Sequence, residues 1–345
     1  MKSPIIEEAK SIIDAAPNYG PLRPVEYANA LPPRAAALAH VLADRRIVDA
    51  AKGYHEADAS AVEAQGRFMR LGRSAAYFGF GAAVLGGALL YVGSDPSTET
   101  LRSNLGLVQS ILLGISLVSA FALFLLKPYR KWRTQRGDAE ARRLQVFALM
   151  MSDRRTAAEG EAPLLPLQLE CFRRHLLRDQ QQFFARRGPQ QRRTVRVWKL
   201  LGAVALLLIL GSILPQLVRL ETLGLFPRAV ADFISRIPLD EKGYALVGLF
   251  GGALQALLAA FTVMSPAQRN ADAYKEMRQR LDAYTAEKLD AVRAAAADGK
   301  EEIVSEFAAQ VADDLAAEGR EWLMLQEVLS ELAPKRLVQQ HKMSP

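Results

Sequence analysis

The sequence predicts an all-α membrane protein with four transmembrane helices arranged as two repeated hairpins and long cytosolic helices forming a bundle. Three observations carry this. Four stretches, 74–94, 103–126, 200–218 and 243–268, contain no Asp, Glu, Lys, Arg or His. Each is long enough to cross a hydrocarbon core of about 30 Å, which takes about 20 helical residues. The segments between them are rich in charge, so the mean hydropathy is only +0.02 although 50% of residues are apolar. One charge at the centre of such a span costs roughly 2.5–3.5 kcal/mol, and none is present.

The elements are taken in chain order. Residues 3–16 read as an amphipathic helix, with Ser3 as cap, Pro4 in the first turn, and Ile5, Ile6, Ala9, Ile12 and Ile13 on one face. Five prolines between Pro17 and Pro33 mark an extended linker. These residues, 1–33, form the first segment. A first two-span unit, 34–152, opens with an Ala-rich helix that has a candidate break at Gly53 and leads into the first span. Residues 153–168, with Gly160, Pro163 and Pro166, read as a linker. A second two-span unit covers 169–335, and 336–345 is a tail. Its basic entry helix is expected to break or kink at Gly188-Pro189. Beyond the fourth span, two helices carry apolar stripes, Tyr274, Met277, Leu281 and Tyr284, then Val304 to Leu332, with a turn at Asp298-Gly299. The apolar connection 220–237 reads as an interfacial helix starting at Pro227.

Charge sets the expected topology. Residues 127–199 hold 18 Lys/Arg against 7 Asp/Glu, a net of +11, whereas 269–345 hold 11 against 15, a net of −4. The excess flanks the spans, as cations do on the cytoplasmic side next to anionic headgroups. Both termini and the middle segment are therefore expected on the cytoplasmic side of the membrane. No aromatic-interleaved or zinc pattern accompanies the charge, so nucleic acid is not an expected partner. Trp132, Arg136, Trp198, Lys199, Tyr274 and Arg278 are candidate interface anchors.

No signature of catalysis, nucleotide binding or metal binding is found, so no enzyme and no cofactor are expected. His40, His55, His175 and His341 lie apart and read as ordinary surface or interface residues. Cys171, the only cysteine, reads as a small buried residue. Inside the spans, small residues recur four apart: Gly79, Ala83 and Gly87; Gly106, Ser110 and Gly114; Gly248, Gly252 and Ala256. Such stripes let helices approach closely, within one chain or between subunits. Gln255 is strongly polar at mid-span and is a candidate interhelical or pore-lining residue.

The two halves repeat. Trp132, Arg136 and Glu140 are spaced like Tyr274, Arg278 and Asp282. The run 172–187, with its arginines, Gln180–Gln182 and the pair Phe183-Phe184, resembles the entry helix of the SMODS and SLOG-associating two-transmembrane effector (SLATT) domains. The run Trp132–Phe147, with Arg136, Glu140 and Arg143-Leu144, is similar to their post-membrane helix, and the helix ending near Glu321-Trp322 to their last one. The resemblance covers roughly 45–330 as two tandem copies. It implies a homo-oligomeric membrane effector that forms a pore or perturbs the bilayer in bacterial anti-phage conflict, downstream of a nucleotide-signalling component. The alternative is a non-conducting scaffold or sensor whose cytosolic helices recruit a partner.

Overall fold

The computed structural model describes residues 3–92, 96–219, 241–264 and 267–317. Within them the chain is helical, with no strand. The expected interfacial helix at 220–237 and the stripe residues beyond 317 lie outside the described residues. The helices are α1 (Pro4–Ala15), α2 (Pro24–Ala30), α3 (Ala36–Leu42), α4 (Arg45–Tyr91), α5 (Glu99–Leu126), α6 (Pro128–Ser152) and α7 (Leu164–Phe172). They continue as α8 (Asp179–Arg219), α9 (Glu241–Met264), α10 (Ala267–Ala283), α11 (Leu289–Ala297) and α12 over 301–317. Two π-turns, Arg173–Arg178 and Tyr284–Lys288, join α7 to α8 and α10 to α11. Four of these helical stretches are long and apolar enough to cross a membrane.

Several local expectations change. The proline-rich stretch is not extended: Pro24 begins α2, and Pro21 and Pro33 sit in 3-10 turns. Proline's fixed φ suits a first helical turn, so closely spaced prolines produced short helices instead of a strand-like linker. Gly53 lies inside the unbroken 47-residue α4. A mid-helix glycine costs only about 1 kcal/mol, which neighbouring turns absorb. Likewise Gly188 and Pro189 lie inside the 41-residue α8. Pro166 falls in the first turn of α7, so the second linker ends at Pro163. Gly299, at φ +73°, makes the turn between α11 and α12 expected at Asp298-Gly299.

The chain forms two compact units, each drawing on both halves of the sequence. The first takes its described residues from Met1–Ala64, Arg130–Gln190 and the chain from Arg269 onward. It holds a continuous apolar core. Ile6, Ala9 and Ile13 of α1 are buried there, as are Leu38, Leu42 and Ile47, Phe147 and Met150, Leu167 and Phe172, and Leu281, Val304 and Phe307. At about 25 cal/mol per Å² of apolar surface, this burial organises the short N-terminal helices, which are too short to persist alone. The second unit comprises Gln65–Tyr129 and Gln191–Gln268. Only 6–11% of the residues in its four apolar windows are buried. Its surface is therefore apolar, the reverse of a water-soluble unit of this size.

Candidate functional site

In the second unit, small residues set the helix contacts. A Cβ on Gly79 would lie 3.0 Å from Ser116 Oγ, and the Ser116 hydroxyl donates to the Ala75 carbonyl at 2.8 Å. A Cβ on Gly86 would meet Gln109 Nε2 at 2.6 Å, so α5 lies close on α4. A Cβ on the buried Gly87 would lie 3.0 Å from Leu246 and Leu249 of α9, and Ala83 near it is half-buried. Phe80 meets Phe250 edge to face and Tyr77 packs tilted on Phe261, with centroids 5.6 and 5.3 Å apart, joining α4 to α9. On the other flank of α9, Gly248 packs against Ser212. A Cβ on Gly251 would come within 2.9 Å of the Ala205 carbonyl and 3.0 Å of Leu208 and Ile209. These contacts order the helices α5, α4, α9, α8.

The remaining small residues face outward. Among the described residues, nothing lies within 4 Å of a Cβ built on Gly106, Gly114 or Gly252. Ser110 is exposed and returns its hydroxyl to the Gly106 carbonyl at 2.8 Å, as serine does inside apolar helices. Ala256 and Gln255 are exposed, and among the described residues the Gln255 amide meets no hydrogen-bond partner. Gly251, which sequence spacing did not single out, carries the α8 contact. Its signal was the pair Gly251-Gly252, of which one faces inward. Trp198 is half-buried against Phe261, and Lys199 beside it is exposed.

In the first unit, the structure assembles polar sites that only long-range packing could make. Arg136 of α6 donates to Asp58 of α4 at 2.7 Å and pairs with Glu140 at 2.6 Å. Arg278 pairs with Asp282 at the same spacing, 3.4 Å apart, so the repeated triplets share an ion pair. The Gln181 amide of α8 donates to the Leu281 carbonyl, Asp282 and Thr285 at 2.9–3.1 Å. Phe183 and Phe184 pack on Tyr274 with centroids 5.9 and 5.4 Å apart. Trp132 is half-buried. Thus the run 178–187 binds the helix that comes after the fourth apolar stretch.

The second assembly lies where the N-terminal segment meets the first π-turn. Arg173 donates to Asp14 at 3.0 Å, and Arg174 to the Ile13 carbonyl and to Asn18 Oδ1. The His175 Nε2 lies 3.0 Å from the Tyr27 hydroxyl. Gly20, at φ +53°, lies flat on the His175 ring, where a Cβ would collide with Nδ1 and Cγ. His175 is therefore buried, not a surface residue. Burial pushes its pKa down to about 4, helped by Arg174 and Arg173 and opposed by Asp14. Burial pushes the Cys171 thiol up to about 12 and raises the Tyr27 hydroxyl further. A thiol held so far above neutrality is inert. The fully buried Glu170 accepts from Arg293 Nε at 2.7 Å and also from Arg173. Among the described residues no cluster could hold a metal ion. Tyr27, Glu170 and Arg293 escaped sequence analysis, because no local pattern marks contacts made across more than a hundred residues.

No protein-family model, no curated protein and no solved structure matches the chain.

Proposed function

We propose that this chain is an integral membrane effector of the bacterial inner membrane. It associates into a homo-oligomer whose α9 helices form or border a pore, in a nucleotide-signalled anti-phage system. The observation that carries the proposal is the exposed Gln255 amide on an apolar helix face, which meets no hydrogen-bond partner among the described residues. In water such an amide needs no explanation. In hydrocarbon an unsatisfied amide costs several kcal/mol, so it calls for a second subunit or water in a path. The open faces at Gly106, Gly114 and Gly252 allow close approach of another copy. The resemblance of 172–187 to SLATT entry helices supplies the biological setting. In this reading α4–α5 and α8–α9 are membrane hairpins, with both termini in the cytoplasm among anionic headgroups.

Ion flux tests it. The purified protein in vesicles containing phosphatidylglycerol conducts, and Gln255→Leu lowers the flux without preventing insertion. Gln255→Glu shifts selectivity toward cations. Insertion without flux, in wild type and variants alike, would refute the pore and leave a non-conducting scaffold.

A further inference from the structure

We infer that residues 3–31 form a releasable clamp that holds the helix entering the second apolar pair in its π-turned register, and that this clamped state is the quiescent one. The second clause rests on the membrane-effector reading; the first does not.

The clamp's polar contacts converge on one place. Three consecutive π-turn residues, Arg173, Arg174 and His175, bond to Asp14, to Ile13 and Asn18, and to Tyr27. A π-turn inserts extra backbone into a helix; it is rare and is frequently found at functional sites. It has no intrinsic preference over α-helix, so tertiary contacts must hold it. Here Asp14, Ile13, Asn18 and Tyr27 of the N-terminal segment contact its first three residues, and Glu170 adds a second partner to Arg173. Gly20 completes the fit, since only a residue without Cβ lies so close to His175.

The clamp is also the kind of element that opens first. Its 12-residue helix α1 is marginal by itself and is anchored through Ile6, Ala9 and Ile13. A short segment whose order depends on docking can undock at less cost than unfolding the whole unit.

Release has a defined geometric consequence. Converting the π-turn to α-helix removes about one residue from the turn and rotates the downstream helix by roughly 100°. That helix, α8, runs unbroken from Asp179 to Arg219. Gln181, three residues past the turn, would leave Leu281, Asp282 and Thr285. Thr285 sits in the second π-turn, so the two turns are coupled through one side chain. A register change at one therefore removes a contact from the other, which keeps Tyr284 on Asp314 and Lys288 on Gln310.

Cys171 provides a native probe, because it is the sole cysteine, is fully buried and lies beside Tyr27. The test uses the full chain, labelled with N-ethylmaleimide and followed in parallel by hydrogen exchange. Ile13→Ala, and separately the milder pair Asp14→Ala with Asn18→Ala, loosen the clamp. Ile13→Ala should raise Cys171 labelling about 30-fold or more, the lower end for a buried Ile-to-Ala change. Exchange should rise at both 173–178 and 284–288, while that of 301–317 holds. The same variants should increase dye release from phosphatidylglycerol vesicles. Labelling that rises without faster exchange at the π-turns overturns the register coupling. Acceleration throughout the first unit makes the segment ordinary core and overturns the clamp. Dye release equal to wild type, with the thiol exposed, overturns the quiescent role. No release from any protein, with both structural changes present, refutes the membrane-effector reading and leaves the clamp standing.

Discussion

Acidification should weaken the N-terminal docking through one side chain, His175. Its pKa moves from 6.5 to about 4 in the folded chain, chiefly because burial disfavours the imidazolium, with Arg174 and Arg173 adding to the effect. A folded pKa below the unfolded one means the unfolded chain takes up the proton first. The stability this represents is whole above pH 6.5 and drains as pH falls toward 4. At 1.36 kcal/mol per unit, the full loss approaches about 3 kcal/mol, of which about 2 kcal/mol is gone by pH 5. His175 is nearly inaccessible, so solvent screening reduces this little. Other groups titrate too. Asp44, held below its usual range by hydrogen bonds from Arg46, also loses stability on acidification. A comparison with His175→Gln cancels those terms, since glutamine keeps a partner for the Tyr27 hydroxyl but does not titrate. Urea unfolding of both proteins in detergent, followed by helix content at pH 7 and pH 5, gives the difference. Wild type should lose about 2 kcal/mol more than the variant. Equal losses would refute the claim that a neutral, buried His175 anchors the segment.

Gly251→Leu should destabilise the α8–α9 pair by about 1–3 kcal/mol through overpacking, whereas Gly252→Leu, facing open space, should not. Thermal unfolding in detergent separates the two, and equal midpoints would contradict the packing order. Glu170→Ala leaves Arg173 and Arg293 without their buried carboxylate and should cost about 3 kcal/mol in urea unfolding, as when a buried pair loses one partner. A loss below about 1 kcal/mol would mean solvent already serves those guanidiniums. Reporter fusions at Gly160 and Ser97 should report opposite sides of the membrane, and identical signals would end the four-span topology.

Much of the helical content was legible from the chain alone, for a local reason. Uncharged runs of about 20 residues and 3–4 spacing of apolar residues are short-range patterns, and a helix satisfies its hydrogen bonds within itself. The same locality exposed the paired triplets around Arg136 and Arg278, which form ion pairs in the fold. It misled at Gly53 and Pro189, because a single unfavourable residue costs about 1–3 kcal/mol and a long helix outweighs it.

The sequence by itself determined where apolar helices lie, how long they are and which segments carry the charge. Only the tertiary structure decided which glycines face a neighbour, because Gly251 and Gly252 differ by one 100° step around α9, not by composition. It alone decided that Asp14, Gly20 and Tyr27 close over Arg173 and His175, across 148 or more residues of chain. And it alone decided the π-turns, since the same residues can wind in either register and the choice sets which carbonyl each amide meets and which face the following helix presents. That choice belongs to the packing around the turn, which no local stretch of sequence contains.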